Sequence, residues 1–165
     1  MQRSNCKFLF KTFNLKCSGL RFFTVYGPYG RPDMALFKFT KSIIDNDSLE
    51  LFNNGKHYRD FTYIDDIIRG IYKIIKLTYS DKSHNIYNIG NGKSKFLKHF
   101  LNELEKNLGK KAKIIKKNLQ KGDVYKTHSS ISKINKKTGF KPEVNIEEGI
   151  RKFVEWYSKE YNIRK

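Results

Sequence analysis

Four polar residues in this chain have a type and a setting suited to meeting a substrate: Thr24, Arg31, Arg59 and Asp123. Arg31 stands between Gly30 and Pro32, in a turn just ahead of an apolar-periodic stretch. A guanidinium held there suits a phosphate, because its planar fork and a helix N-terminus both favour negative charge. The other reading of Arg31 is a surface charge in a Gly/Pro turn. Arg59 precedes the run around Phe61, and Asp123 follows Gly122 in the polar loop 118–125. Material for bond-breaking chemistry is thin. The four histidines, His57, His84, His99 and His128, lack metal-ligand spacing and read as surface or structural groups. Cys6 and Cys17 have no third or fourth partner and read as reduced thiols rather than a disulfide. No GxGxxG follows a first strand, so the dinucleotide fingerprint is absent.

The element that must position these groups is residues 19–33, GLRFFTVYGPYGRPD. Leu20, Phe22, Phe23 and Val25 predict a strand buried on both faces, as in a parallel sheet. Two Gly/Pro turns follow at its carboxyl end, where open α/β sheets bind ligands. Asp33 is the predicted N-cap of a helix over residues 34–45. Residues 49–53, Asn54-Gly55 and residues 57–61 predict a hairpin, with Arg59 on the returning strand. Asp65 and Asp66 then open a helix with an apolar stripe of Ile67, Ile68, Ile71, Ile74 and Ile75, and the two carboxylates read as caps.

Other elements follow the same logic. Leu9 and Phe13, four apart, predict a helix over residues 5–13, and residues 86–89 a short strand. Residues 95–108 form an amphipathic pattern stopped at Gly109. Residues 112–115 predict a strand and residues 131–138 a short helix. Asn145 and Glu148 form a capping box for a last helix that turns Ile146, Ile150, Phe153, Val154 and Tyr157 inward. There is no internal repeat and no linker long enough to divide the chain.

A length of 165 residues suffices for a sizeable core. The formal charge of +18 admits three readings: a nucleic-acid-binding module, attraction to an anionic membrane, or a solvated lysine-rich surface. The charges are mostly lysines spread along the chain, which favours the solvated surface. No stretch approaches the length of a membrane span, so a cytoplasmic protein with no membrane partner is expected.

The run LRFFTVYGPYGRPDMALFKFTKSI, followed by RDFTYIDDIIRGI, resembles the extended short-chain dehydrogenase/reductases, within the NAD-dependent epimerase/dehydratase family. IYNIGNG, Gly122-Asp123-Val124 and GFKPEVNIEEGIRKFVEWY agree in order, and the likeness is greatest to UDP-glucuronate 4-epimerases. The resemblance implies an α/β fold: the C-terminal part of a Rossmann-like enzyme with its small α/β substrate domain. Residues 1–33 would be a remnant of the NAD-binding domain and residues 34–165 the sugar-nucleotide-binding domain. It implies NAD as cofactor, a UDP-sugar as substrate and a homodimer when full length. In such enzymes a tyrosine of a Tyr-x-x-x-Lys pair takes the proton from the sugar 4-hydroxyl while NAD takes the hydride. That pair belongs upstream of the position matching Thr24, where this chain has no tyrosine, so the isolated chain is expected to be inactive. By the same resemblance Thr24 would hold the hexuronate carboxylate and Phe23 would pack near the nicotinamide. Arg31 and Arg59 would hold the nucleotide diphosphate or uridine, and Asp123 would accept from the ribose. Lys121 and Tyr125 stand where these enzymes have proline. A dehydratase or decarboxylase of the same family, or a basic nucleic-acid-binding module, are the rival readings.

Overall fold

Helices and strands alternate through the computed structural model, which describes residues 2–80 and 84–163, with side chains from residue 8 onward. Their order is α1 (Gln2–Phe13), β1 (Ser18–Phe22), β2 (Thr24–Tyr26), α2 (Ala35–Ile44), β3 (Ser48–Phe52), β4 (Tyr58–Arg59) and β5 (Phe61–Tyr63). Then come α3 (Ile64–Ser80), β6 (Asn85–Ile89), β7 (Lys95–Phe96), α4 (Leu97–Leu108), β8 (Lys113–Lys117), α5 (Ser132–Thr138) and α6 (Ile146–Glu160). Three strand pairs are parallel: β1 with β6, β2 with β5, and β3 with β8. Parallel pairs need crossovers, and α2 and α3 lie within those of β2–β5 and β1–β6. Only β4 and β7 run antiparallel among the described strands. The expected α/β class is the one found.

Two apolar clusters hold the elements together. In the larger, Leu36, Phe37, Phe39, Phe100, Leu104, Ile150 and Phe153 from α2, α4 and α6 close over Tyr26, Phe61 and Tyr63. The rings of Phe61 and Phe100 stack with centroids 4.2 Å apart. In the smaller, Ile67 and Ile74 of α3 meet Tyr87, Ile89, Ile134 and Phe140. Burying each such side chain contributes roughly 1.5–3 kcal/mol. The predicted inward face of α6 is buried throughout. Asn145 caps that helix by accepting from the Glu148 N–H at 2.8 Å. The reciprocal half of the capping box is replaced, because the Glu148 carboxylate pairs with Lys152 at 2.9 Å. Gly109 ends α4 in the left-handed region, as expected.

Several expectations are corrected. Asp33 does not cap α2: Met34 holds the N-cap position without a side-chain bond, and the Asp33 carboxylate instead takes the Arg31 guanidinium. A two-pronged charged contact outcompetes a single backbone N–H. The hairpin is absent as well. Asn53, Asn54 and Gly55 all take positive φ, so the turn runs to three left-handed residues and does not return the chain along β3. β3 pairs with β8, and β4 with β7. Asp66 is wholly buried and, besides Arg69, accepts the backbone N–H groups of Glu143 and Val144, so it ties α3 to the segment before α6. On α3, Ile68 and Ile75 are exposed, and Phe22 on β1 is exposed too, since β1 has a strand neighbour on one side only among the described residues. The strand predicted at 112–115 is found as β8, and α4 begins at Leu97 after the short β7. Cys17 is half-buried, while the Cys6 side chain lies outside those described.

The turn after β2 depends on a glycine. At Gly27 φ is +138°, and a Cβ there would stand 2.7 Å from Cγ2 of Ile64. Only a glycine lets this turn lie so close against the start of α3.

Candidate functional site

The site is built on residues 57–62, an extended run around β4 and β5. Alternate side chains of such a run face opposite ways. His57, Arg59 and Phe61 line a groove, while Asp60 points into the protein and is wholly buried. Asp60 accepts from the N–H of Asn91 (2.7 Å), Gly92 (3.1 Å) and Ser129 (2.8 Å), and from the Ser129 hydroxyl (2.7 Å). Its own carbonyl accepts from the Thr24 N–H at 3.1 Å, and its N–H donates to the Thr127 hydroxyl at 3.0 Å. One carboxylate therefore fixes the loop after β6 and the segment 127–129 beneath the run that carries Arg59. A buried carboxylate is tolerated because its lone pairs are filled by donors.

The groove has a volume of about 340 Å³ and is lined by Thr24, Asp33, His57, Arg59, Phe61 and Asp123, among others. That size falls in the range of small-molecule sites. The Arg59 and Asp123 side chains are 19% and 30% exposed, and Arg59 Nη2 donates to Asp123 Oδ1 at 2.6 Å. Arg59 Nη1 donates to the carbonyls of Tyr58 (3.1 Å) and Tyr125 (3.4 Å). The loop bearing Asp123 is further joined to β4 by Tyr58 N–H to Tyr125 O (2.9 Å) and Thr127 N–H to Tyr58 O (3.0 Å).

Phe23 and Arg31 line a neighbouring cavity of about 300 Å³ with Gly27, Tyr29 and Gly30. The Arg31 side chain is 75% exposed and bonds Asp33 at 3.0 and 2.5 Å. This contact raises the arginine's pKa and holds the Asp33 carboxyl below the usual carboxylate range. Asp33 itself lines the first groove, and Thr24 and Arg31 both line a smaller cavity of about 30 Å³. So Thr24, Arg59 and Asp123 share one groove, and Phe23 and Arg31 adjoin it. Arg59 and Asp123, which stand far apart in the sequence, grip each other.

His57, by its spacing a surface or structural group, is 2% exposed and lines the groove. The signal that points to it is its place two residues before Arg59, on the same side of an extended run. Asp60 gives no such signal, because its donors come from distant backbone. A Tyr-x-x-x-Lys spacing does occur at Tyr72 and Lys76, but on α3, where both line a separate cavity. There Lys76 Nζ lies over the Tyr72 ring, 4.5 Å from its centroid. Burial raises the pKa of Tyr26, so this phenol beside the site stays neutral. Among the described residues no group of His, Cys, Asp and Glu could hold a metal ion, and no helix is long and apolar enough to cross a membrane. Chemically the groove brings Arg59 and Lys38, the carboxylates of Asp33, Glu50 and Asp123, the Thr24 hydroxyl and an aromatic wall to one space, a set that suits a polar, hydroxyl-rich ligand.

Residues 3–90 match the sequence family described as the NAD dependent epimerase/dehydratase family. Protein CapI of Staphylococcus aureus is 42% identical over 164 residues, covering 90% of this chain and 49% of that protein. A UDP-glucuronate 4-epimerase of Thermodesulfobacterium geofontis is 43% identical over 145 residues, covering 87% of this chain and 44% of the relative. Among solved structures, the UDP-glucuronic acid 4-epimerase of Bacillus cereus, in complex with UDP-glucuronic acid and NAD, superposes with a TM-score of 0.86 at 31% identity. That match covers 96% of this chain and 50% of the enzyme. The chain spans about half the length of the curated relatives it matches.

Proposed function

This chain belongs to the NAD dependent epimerase/dehydratase family, and on that premise we propose that it forms the C-terminal, sugar-nucleotide-binding part of a UDP-hexuronate 4-epimerase. The complete enzyme would interconvert UDP-glucuronate and UDP-galacturonate. Residues 1–33 would belong to its NAD-binding domain and residues 34–165 to its substrate domain. The observation that carries this reading is the gathering of Thr24, Arg59 and Asp123 around one groove in a chain 43% identical to a UDP-glucuronate 4-epimerase.

Each group has a role its chemistry fits. Arg59 lines the groove with most of its side chain buried. It has five N–H donors, so its bonds to Asp123 and two carbonyls leave capacity for a phosphate oxygen. Arg31, on the exposed rim, would close on the same diphosphate by leaving Asp33. Asp123 would accept from the ribose hydroxyls. Thr24, whose N–H is held on the Asp60 carbonyl, lines the groove, and its hydroxyl would donate to the hexuronate carboxylate. For NAD the fit rests on Phe23, a half-buried aromatic on the cavity that adjoins the sugar groove. When bound, NAD supplies hydride transfer at the sugar's carbon 4; the residues here hold and orient the sugar nucleotide. No tyrosine precedes Tyr26 to serve as the general base, so the 165 residues alone are proposed to bind without turning over.

Calorimetric titration of UDP and of UDP-glucuronate into the purified chain, with a coupled assay for turnover, tests the reading. Saturable binding without turnover is the expected result. A folded chain that binds neither nucleotide would overturn the assignment of the groove.

A further inference from the structure

We infer that His57 is a positioning residue: it latches the loop that carries Asp123 over the mouth of the groove. The inference rests on the assignment of the groove to a nucleotide only for its consequence, not for the latch itself. His57 Nε2 is buried and has no hydrogen-bond partner, yet it faces Asp123 Oδ2 at 3.3 Å. An imidazole nitrogen buried this deeply is costly unless it serves a polar neighbour. Here that neighbour is the second oxygen of a carboxylate whose first oxygen is already on Arg59 at 2.6 Å. The imidazole and the guanidinium come from alternate positions of one extended run, two residues apart, so they point to the same side and meet one carboxylate together.

The rest of the loop explains why this contact matters. Its carboxyl-terminal end is fixed to β4 through Tyr125 and Thr127, and the Asp123 N–H closes a turn on the Gln120 carbonyl at 3.1 Å. Residues 121–126 are exposed, Asp123 among them, although its side chain is only 30% exposed. The side chain of Asp123 is therefore the inward anchor of the loop's outer half. The His57 backbone is fixed independently, since its carbonyl accepts from the Leu97 N–H at 2.8 Å, so the ring has a rigid base from which to hold the loop.

Tryptic cleavage after Lys121 in the full 165-residue chain reads the latch directly, because cleavage of a loop that opens and closes rapidly follows the open population. His57→Phe keeps an aromatic side chain, with a somewhat larger ring, and removes the nitrogen that faces Asp123; it should speed cleavage roughly twofold to fivefold, the worth of a weak polar contact. His57→Gln, whose amide can reach Asp123, should restore a rate near that of the unsubstituted chain. In an Asp123→Ala background, which should already be cleaved faster, His57→Phe should add nothing. Equal cleavage of the unsubstituted and His57→Phe chains, both melting at the same temperature, would overturn the latch. If His57→Phe does not fold, Asp123→Ala alone must speed cleavage, and an unchanged rate overturns the latch equally. A UDP titration of the same variants separates the two readings. Fast cleavage in His57→Phe with no UDP binding to any variant keeps the latch and removes the nucleotide. UDP binding that is equal in all variants removes the positioning role.

Discussion

The ring of Tyr26 fills the space that a side chain at Gly149 would need: a Cβ there would stand 2.8 Å from Tyr26 Cζ and closer still to its hydroxyl. Because Gly149 lies in the first turns of α6 and Tyr26 ends β2, neither can move without disturbing the larger core. Gly149→Ala is expected to lower stability by about 1–3 kcal/mol, the cost of overpacking a filled core. Denaturant unfolding measures it. A Tyr26→Phe change in the same chain should recover part of the loss, and full additivity of the two would refute the contact.

Burial raises the pKa of Tyr26, and also those of Tyr63 and Tyr157, above the ordinary tyrosine value. The unfolded chain releases these protons near pH 10 while the folded chain keeps them. Above that pH the unfolded state binds fewer protons, so stability is full below about pH 10 and falls as pH rises toward the folded values. Urea midpoints between about pH 8 and pH 11 should decline only in the upper part of that range. Tyr26→Phe should flatten the decline, and an unaltered slope would count against Tyr26 as its main source.

At Asp60 the charge itself can be tested. Asp60→Asn keeps the shape but turns an amide NH2 toward backbone donors and removes the charge from four hydrogen bonds. A loss on the order of 3 kcal/mol is expected. It should be accompanied by faster amide exchange at Asn91, Gly92 and Ser129. A stable variant with unchanged exchange at those three would show that the carboxylate is not what holds the loops.

Arg59→Lys should weaken UDP binding nearly as much as Arg59→Ala, by roughly 1.5–3 kcal/mol. An ammonium cannot hold Asp123, two carbonyls and a phosphate oxygen at once as the planar fork can. Calorimetry of both variants decides, and an Arg59→Lys affinity equal to that of the unsubstituted chain would make Arg59 one surface charge among many.

Thr24→Ala should cost more affinity for UDP-glucuronate than for UDP-glucose, because only the former offers a carboxylate to the hydroxyl. Comparing both ligands by titration checks this. Equal losses would mean that Thr24 does not sense the acid.

The helices are legible in the sequence because their information is local. The inward stripe of α6, its Asn145 cap and the Gly109 stop of α4 each follow from residues within a few positions of one another. Strand partners are not, since Asn54-Gly55 signals positive φ but not which strand lies beside β3 once the turn runs one residue longer. Asp60 and Asp66 are opaque for the same reason: the backbone donors they accept from lie 31 to 78 residues away. Of the site, the turn around Arg31 can be read from its glycines and prolines. The shared groove of Thr24, Arg59 and Asp123, the place of His57 in it and the mutual grip of Arg59 and Asp123 need the fold.

The contacts of Arg59 and Asp60 span long stretches of the chain, as does the parallel pairing of β3 with β8. Arg59 emerges from the ribosome 64 residues before Asp123, and Asp60 precedes Ser129 by 69. Closing such loops is entropically costly, and chains dominated by long-range parallel pairs fold slowly. Until the later residues appear, the nascent chain carries a guanidinium and a carboxylate destined for burial but still in water. The groove therefore cannot close on its far wall until the chain has been made as far as Asp123 and Ser129.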